Sequence, residues 1–543
     1  MIMAKGYRRV DRDQQFLLPP DMAEWLPASD PVWLVIEVIK SCDTSAFHAG
    51  RRLGGAGRAG YDPDMLITLL VWAWLQGVHS SRRIERLCGR DIAFRVVCAG
   101  DVPDHVTIAR FRQGFSAGVE QLFEQVLLLA SRLGLGQLGV VALDGTKIAA
   151  PASAGQNRTA EGLSKAAAAE QARQAARRAA RAHAEADAAE DARFGDSHGD
   201  QVSDDPVEGV ADPAERSAAG SDRRPGRSRS ARIAEAMADL EQQAAQERTE
   251  QQERTAERAA RMADKDGRPV DGRPPAGTEI VLAERALAAA VAAAQARRQE
   301  WRVTGRGRRP PEVDDHWRVR KAVARVARAH QIVAARAARR PRREPVGNIT
   351  DPESGLQPLA GGGWLQGYNA QAVTTGDGLV LATQVSNNPA DQIAFLPMMQ
   401  AATAIAKRVG AGPIRLVLAD AGYLSVDNLT KPGPDRLIAV GTRRSLEAAA
   451  QGAAAPSAET SSGGDAAIQA MRNRLATPDG IAAYRQRGRI AETTFGHAKH
   501  NLSFRRFTGI GLDRARAEWM FHAAVHNLSK IINHGLAPIQ LTC

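Results

Sequence analysis

Residues 140–145 read VVALDG, an uninterrupted run of branched and apolar side chains that ends in Asp144 and a glycine. Such a run predicts a buried strand that opens into a turn. A second run, IRLVL at 414–418, has the same character and is soon followed by Asp420. Together the two runs predict a sheet in which two buried strands each end in a carboxylate.

The last third of the chain predicts further elements of the same α/β domain. The segment TGDG at 375–378 has the composition of a hairpin turn between strands at 367–374 and 379–386. The remaining predicted elements are a helix at 393–409, a strand at 437–440, a helical tract from about 478 that carries Glu492, and a helix at 512–534. These elements predict a domain that contains both strands and helices.

Residues 1–125 are expected to form a mostly helical domain. Apolar runs at 31–39 and 65–75 are long enough for buried helices. Asp30 and Asp62 each stand before a proline, a frequent arrangement at the start of a helix. Two shorter segments interleave arginine with apolar residues: 80–87 and 107–115. Such helices either grip a phosphate backbone or present a solvated basic face.

The middle of the chain, residues 161–344, has the composition of long helices that cannot bury a core of their own. It is rich in Ala, Arg, Glu and Gln, which are strong helix formers, and breaks at 195–230 and 265–277 predict loops or disorder. Residues 306–344 hold 13 basic and four acidic side chains. We therefore expect a helical or partly disordered insertion with a basic arm.

This insertion would divide a second domain into two parts, 133–160 and 345–535. An Ala-, Ser- and Gly-rich segment at 446–478 is expected to be a flexible surface loop within the second part. The expected organisation is thus a helical N-terminal domain, a split α/β domain and a long Ala/Arg-rich helical insertion.

The overall composition favours a cytoplasmic protein with a polyanionic partner. The 543 residues include 72 Lys and Arg against 61 Asp and Glu, a net charge of +11, which suits nucleic-acid binding but also fits a solvated surface. No apolar run reaches the roughly 18 residues of a membrane span, and no apolar signal segment is evident. The four cysteines have no CxxC spacing, which argues against a zinc site and a disulfide scaffold.

Three carboxylates carry the chemical content of the sequence: Asp144, Asp420 and Glu492. Strands that lie side by side bring their end residues together, so two strand-end carboxylates and one helix carboxylate can converge. Hard oxygen ligands suit Mg²⁺ or Mn²⁺. Two such ions about 4 Å apart can activate the attacking oxygen and stabilise the leaving oxygen in phosphoryl transfer. The plainer alternative is that each aspartate is a turn or helix cap.

Blocks around these carboxylates resemble, in the same order, those of bacterial insertion-sequence DDE transposases. The blocks are VVALDGTKIAA (140–150), NITDPES (348–354), QGYNAQ (366–371), LADAGY (418–423) and YRQRGRIAE (484–492), followed by FG (495–496) and Lys499. YDP (61–63) and VTIARFR (106–112) resemble the family's helical N-terminal domain. The resemblance covers about 1–160 and 345–535.

The resemblance implies an RNase H-like catalytic domain, which is a mixed sheet flanked by helices. The family's DDE triad would be Asp144, Asp420 and Glu492, acting as catalytic residues and as ligands of two Mg²⁺ or Mn²⁺ ions. The DNA-binding side chains would be Tyr484, Arg487 and Lys499, because cations near the metals would neutralise a bound phosphate. For these three, the alternative is the ordinary charged surface of an amphipathic helix.

Such a protein is expected to bind the terminal inverted repeats of its own element, cleave DNA with Mg²⁺ and join the ends to target DNA. A homodimer on paired ends, associated with the nucleoid, is expected by analogy. A catalytically silent, transposase-derived DNA-binding repressor is the alternative, and a nuclease without strand transfer is a third possibility.

Two further patterns are interpreted as structural. His522 and His526 have a zinc-compatible spacing, but Ala523 stands where a zincin needs glutamate, and an apolar stripe marks the helix as part of the core. Asp391 matches an aspartate of the family, and we interpret it as the cap of the helix at 393–409.

Overall fold

The two apolar runs form neighbouring parallel strands inside a six-stranded sheet. β1 (Val140–Ala149) pairs with β7 (Leu416–Ala419) from Val140↔Leu416 to Leu143↔Ala419. The computed structural model describes residues 21–49, 60–136, 138–194, 228–263, 278–337, 345–359, 361–441 and 466–534.

Antiparallel strands extend the sheet on the other side of β1. β5 (Trp364–Thr375) pairs with β1 from Val141↔Thr375 to Ala149↔Gly367. β6 (Val380–Ser386) and β4 (Gly355–Pro358) both pair antiparallel with β5. On the far side, β8 (Asp435–Ile438) runs parallel to β7. This mixed order is RNase H-like and confirms the predicted fold class.

The helices that pack against the sheet and bury it include α12 (Phe395–Arg408), α15 (Pro478–Gly496) and α16 (Leu512–Asn533). Every residue of β5 from 366 to 375 is buried as a result. Several of these residues are polar, including Asn369 and Gln371, each about 1% exposed. Buried polar side chains need hydrogen-bond partners, so this strand must carry a polar network inside the sheet.

Among the described residues, seven α-helices precede the sheet: α1 (Pro31–Ser41), α2 (Ser45–His48), α3 (Pro63–Leu75), α4 (Ser81–Cys88), α5 (Ile92–Val97), α6 (His105–Gln113) and α7 (Ser116–Arg132). The predicted starts of α1 and α3 are confirmed, because the Asp30 and Asp62 side chains accept hydrogen bonds from Val32 N and Asp64 N, each 2.9 Å long.

The N-terminal helices share one hydrophobic core with the sheet. The Trp74 ring of α3 lies 4.8 Å from the Phe521 ring of α16, and α7 also packs against α16. The described residues of 1–154, 354–458 and 464–543 accordingly belong to one compact unit. The sequence-based domain limits, including the one near residue 125, stay a prediction.

Residues 155–353 belong to a second compact unit, which consists mainly of long helices. The helices are α8 (Ala160–Phe194), α9 (Arg229–Ala263), α10 (Glu279–Thr304) and α11 (Trp317–Ala337). A two-stranded ladder joins β2 (Asn157–Arg158) to β3 (Gly347–Asn348). α8 packs against α9, and α10 packs against α11.

The expectation that the insertion buries no core is wrong at one end of the α8–α9 pair. There Leu163, Ile233, Leu240 and Ile349 form a small buried cluster. A few apolar residues scattered through an Ala-rich sequence are enough to form this cluster, because two helices and the β3 segment bring them together. The breaks expected at 195–230 and 265–277 lie almost entirely outside the described residues.

The rest of the fold differs from the expectation at one point. α13 (Val426–Thr430) is a further short helix, and α14 (Ala466–Leu475) is a helix within the segment 446–478 that was expected to be a loop. Met471 and Leu475 are buried in a cluster with Ile490 of α15, which explains why this part is ordered as a helix. Residues 446–465 lie outside the described residues. No described helix is both long and apolar enough to cross a bilayer.

The close pairing of β1 and β5 depends on the absence of a side chain at Gly367. A Cβ there would lie 2.2 Å from the backbone oxygen of Ile148. We expect Gly367→Ala to lower the free energy of unfolding by about 1–3 kcal/mol, because overpacking forces the strands apart. Urea unfolding of the two proteins measures the difference. Gly139→Ala is the control, since a Cβ at Gly139 meets nothing within 4 Å; an equal loss in both variants would contradict this explanation.

Candidate active site

The parallel pairing of β1 and β7 brings Asp144 and Asp420 to the same place. The pairing of the two strands ends at Leu143↔Ala419, and Asp144 and Asp420 are the residues that follow this last pair. The sequence predicts that β1 ends at Asp144, but β1 continues to Ala149 because its pairing with β5 is longer than its pairing with β7. Asp144 therefore sits within β1, beside the carboxyl end of β7.

One guanidinium bridges the two carboxylates. Nη2 of Arg487 on α15 lies 3.0 Å from Asp144 Oδ2 and 3.5 Å from Asp420 Oδ2. The side chains of Arg487 and Asp144 are each 17% exposed, whereas that of Asp420 is 41% exposed. The arginine thus compensates the repulsion between two like charges held close together in a partly buried site.

A glycine N–H holds the second oxygen of each aspartate. The backbone N–H of Gly145 donates to Asp144 Oδ1 over 2.8 Å, and that of Gly422 donates to Asp420 Oδ1 over 2.9 Å. Asp420 is also the N-cap of a short 3-10 turn, Ala421–Tyr423. The cap interpretation therefore holds for Asp420, yet the same carboxylate also faces Arg487.

Burial raises the pKa of Asp144 to about 6, from an ordinary value of 3.8. The Arg487 charge and the Gly145 N–H oppose the rise, while the Asp420 and Asp391 charges add to it. Burial also disfavours the charged form of Arg487, but Asp144 and the neighbouring acidic groups outweigh it, and the pKa of Arg487 is raised overall. The pKa of each of these groups therefore depends on the charges of the others.

Glu492 lies on the same helix as Arg487 and lines a cleft of about 690 Å³ together with Asp420. Arginines 485, 487 and 489 and Tyr484 also line this cleft. The Glu492 side chain is exposed. The structure thus brings Asp144 and Asp420 onto one guanidinium, and it puts Glu492 on the wall of the cleft beside them.

Tyr484 and Lys499 differ in their relation to the cleft. The Tyr484 hydroxyl donates to the backbone oxygen of Ala419 over 3.2 Å, and burial raises its pKa to about 12. This contact ties α15 to the end of β7. Lys499 follows in a π-helical turn, His497–Asn501, and burial together with the Arg505 charge lowers its pKa. Lys499 is not among the described residues that line the cleft.

A polar network behind the two aspartates was not identified from the sequence. Asp391 Oδ1 accepts hydrogen bonds from Asn369 Nδ2 (2.7 Å) and Gln371 Nε2 (2.8 Å), and Lys147 Nζ lies 3.2 Å away. Tyr423 donates to Gln371 Oε1. The network could have been suspected because four of its members, Lys147, Asn369, Gln371 and Tyr423, fall in the quoted blocks.

The interpretation of Asp391 as a helix cap is wrong. Its side chain makes no capping hydrogen bond to the short 3-10 turn Gln392–Ala394, which precedes α12. The carboxylate instead faces Lys147 of β1 and the side-chain amides of Asn369 and Gln371 on β5. Hydrogen bonds to a charged acceptor in a partly buried position stabilise the fold more than a cap at an exposed helix end.

The donor atoms at the cleft suit a divalent cation of the Mg²⁺ class. Asp144 and Asp420 present carboxylate oxygens, and a positive group, Arg487, already lies between them. Asp144, Asp420 and Glu492 lie farther from one another than the ligands of a single bound ion would. Within the described ranges, the group of three potential ligands with all atoms within 4.8 Å of one another is His48, Asp62 and Asp64, near the start of α3.

His522 and His526 are buried side chains of α16, as expected of core residues. His522 stacks on Phe504, with ring centroids 4.7 Å apart, and His526 Nε2 lies 2.8 Å from the backbone oxygen of Gly378. Burial lowers the pKa of His526 to about 3 and that of His522 well below its ordinary value. Both rings are thus neutral packing groups at physiological pH.

The raised pKa of Asp144 predicts a pH-dependent stability in metal-free protein. Its folded pKa of about 6 exceeds the unfolded value of 3.8, so the contribution to stability is complete below about pH 3.8 and is lost as the pH rises through about 6. Asp144→Asn should therefore stabilise the metal-free protein at pH 8 by on the order of 2 kcal/mol.

Urea unfolding with EDTA between pH 5 and pH 8 measures this effect. The advantage of Asp144→Asn should shrink as the pH falls toward 5. Asp427→Asn, an exposed carboxylate paired with Lys431 at 3.1 Å, is the control and should show no such trend. A loss of stability in Asp144→Asn that is the same at every pH would sink the idea.

Two family models match the chain. A transposase domain matches residues 20–114, and a transposase DDE domain matches residues 459–532. The second match includes Tyr484, Arg487 and Glu492 on α15. No curated protein and no solved structure is significantly similar to the chain. Both matched models describe transposase domains, and these matches support an insertion-sequence DDE transposase.

Proposed function

We propose that this transposase binds the terminal inverted repeats of its own element, cleaves DNA at their ends and joins the freed 3′-hydroxyls to target DNA. The observation that carries the proposal is the meeting of Asp144 and Asp420 on the guanidinium of Arg487, beside a cleft that Asp420, Arg487 and Glu492 line. Carboxylates converging beside cations are what metal-dependent phosphoryl transfer requires.

Asp144, Asp420 and Glu492 would together hold two ions of Mg²⁺ or Mn²⁺. Bound ions of this kind activate the attacking oxygen and stabilise the leaving oxygen of a phosphodiester. Asp144 and Asp420 already have one oxygen each fixed by a glycine N–H, which leaves the other oxygen directed toward Arg487 and the cleft. The chain thereby supplies carboxylates whose orientation is set before any ion binds.

The basic residues of α15 would hold the DNA backbone beside these carboxylates. Arg485, Arg487 and Arg489 line the cleft, and guanidinium groups bind phosphate oxygens through paired hydrogen bonds. Tyr484 would contact a terminal nucleotide while its hydroxyl remains tied to Ala419. Lys499, just beyond this helix, would contact DNA at the edge of the site.

The alternative, a catalytically silent repressor, would bind the repeats without cutting them. It requires cations but gains nothing from two partly buried carboxylates, one of which is held with a raised pKa. Keeping such like charges together opposes folding and opposes the binding of a phosphate. Their presence favours the enzyme, although a repressor would share the same DNA contacts.

The exposed face of α11 would be a further contact with DNA. Arg318, Lys321, Arg325 and Arg328 are spaced i, i+3, i+7 and i+10, and all four are exposed. They form a line about 15 Å long at 1.5 Å per residue. Residues 317–337 contain no acidic side chain. A polyanion is the partner that such a face fits best. A homodimer on paired ends completes the proposal, because two element ends have to be joined.

Excision from a supercoiled mini-transposon plasmid tests the catalytic assignment. Asp144→Asn, Asp420→Asn and Glu492→Gln should each reduce cleavage by more than about 100-fold, since even residues that only orient metal ligands contribute about 10–100-fold. Binding of a labelled terminal repeat should persist in all three. Ca²⁺ in place of Mg²⁺ should support binding without cleavage.

Asp427→Asn is the control for this assay and should cleave like the parent protein. Full excision by Asp144→Asn with Mg²⁺ present would contradict the assignment of the triad. Terminal-repeat binding with no cleavage by the parent protein would favour the repressor.

The salt dependence of DNA affinity tests the α11 face. Replacing Arg318, Lys321, Arg325 and Arg328 with Gln in the full chain should lower the slope of log K against log salt concentration by about 3–4, because each phosphate that a cation neutralises adds about 0.9 to that slope. Arg318→Lys/Arg325→Lys/Arg328→Lys keeps the charge and should keep the slope. An unchanged slope in the Gln variant would show that this face is only solvated.

A further inference from the structure

A buried amide on β5 connects the two segments that carry Asp144 and Asp420. The side chain of Gln371 lies inside the sheet, where the residue is about 1% exposed. It touches the backbone after Asp144 on one side and bonds to the turn after Asp420 on the other.

On the first side, Gln371 lies directly opposite Gly145 in the β1–β5 ladder. A Cβ on Gly145 would lie 2.4 Å from Gln371 Nε2, so the carboxamide occupies the space that any larger residue would fill. Gly145 is the residue whose N–H donates to Asp144 Oδ1 over 2.8 Å. Gln371 therefore packs against the peptide that orients the first carboxylate.

On the second side, Gln371 Oε1 accepts the hydroxyl hydrogen bond of Tyr423. Tyr423 is completely buried and ends the 3-10 turn that begins after Asp420. Its neighbour in the turn is Gly422, whose N–H donates to Asp420 Oδ1 over 2.9 Å. Gln371 thus anchors the turn that orients the second carboxylate.

The orientation of the amide is itself fixed. Gln371 Nε2 donates to Asp391 Oδ1 over 2.8 Å and to Asn369 Oδ1 over 3.0 Å. A carboxylate accepts hydrogen bonds only, so the nitrogen must face Asp391 and the oxygen must face Tyr423. Lys147 Nζ, 3.2 Å from Asp391 Oδ1, balances the charge of that carboxylate.

We propose that Gln371 is a positioning residue that sets the separation of Asp144 and Asp420 by bracing Gly145 and Tyr423 at once. The inference rests on the proposed function, in which those two carboxylates hold the metal ions. Residues that orient metal ligands typically affect metal affinity or activity by about 10–100-fold. A side chain that only fills the core would change stability alone.

Mn²⁺ binding to the full-length protein without DNA tests this role directly. Gln371→Met keeps the length of the side chain and removes both hydrogen-bonding groups, and Tyr423→Phe removes a single hydroxyl. Each should weaken Mn²⁺ binding by about 10–100-fold in calorimetric or spin-resonance titrations. The double variant should be about as weak as either single variant, because both act through one contact.

Asn527→Leu is the matched control. Asn527 is a completely buried amide that bonds to both the N–H and the oxygen of Val380 over 2.8 Å, at the start of β6. It should lose stability comparably and bind Mn²⁺ like the parent protein. In cleavage of a terminal-repeat substrate, Gln371→Met should lower kcat with little change in the KM for DNA.

Parental Mn²⁺ affinity in both folded Gln371→Met and Tyr423→Phe would overturn the inference. Additive losses in the double variant would overturn it as well, since the two residues would then act independently. Asp144→Asn distinguishes failure of the proposed metal site from failure of the role of Gln371. If Asp144→Asn also binds Mn²⁺ like the parent protein, the proposed metal site is wrong. If Asp144→Asn alone loses Mn²⁺ affinity, only the role of Gln371 is rejected.

Discussion

The constraint on which the site depends is electrostatic: two aspartates have to stay close together in a partly buried site. Asp144 and Asp420 reach this arrangement because β1 and β7 stop pairing one residue before each of them. Like charges at such a distance would repel and favour protonation. Arg487 supplies the opposing charge, and the N–H groups of Gly145 and Gly422 fix one oxygen of each carboxylate.

This constraint explains the unusual polarity of the central strand. β5 is buried along most of its length, yet it carries Asn369 and Gln371. A purely apolar strand would stabilise the sheet at least as well, because buried amides need partners to offset their desolvation. Their bonds to Asp391 and Tyr423 satisfy them and connect the backbone on both sides of the carboxylates.

The long insertion is compatible with this arrangement because of where it enters the chain. Residues 155–353 follow β1 and precede β4, so they interrupt a connection and not a strand of the sheet. The entropy of closing a loop rises only slowly with its length, so a connection can lengthen without much loss of stability. β1 and β5 keep nine paired positions across it. The helices of the insertion then form a unit with its own small core.

The sequence alone determined the elements that have strong local signals. VVAL and IRLVL predicted the two parallel strands, the Asp-Pro pairs predicted the starts of α1 and α3, and TGDG predicted the turn between β5 and β6. The ordered blocks predicted the transposase family, which the family models confirm. Local signals succeed here because apolar periodicity and capping chemistry act within a few residues.

Only the tertiary structure decided how these parts meet. The sequence identified Asp144, Asp420 and Arg487 as candidate site residues. It could not predict that one guanidinium nitrogen of Arg487 lies 3.0 Å from Asp144 and 3.5 Å from Asp420. It assigned Asp391 to a helix cap and 466–475 to a loop, because side-chain partners far along the chain leave no local pattern. Contacts between residues hundreds of positions apart depend on strand register, and register is a property of the assembled sheet.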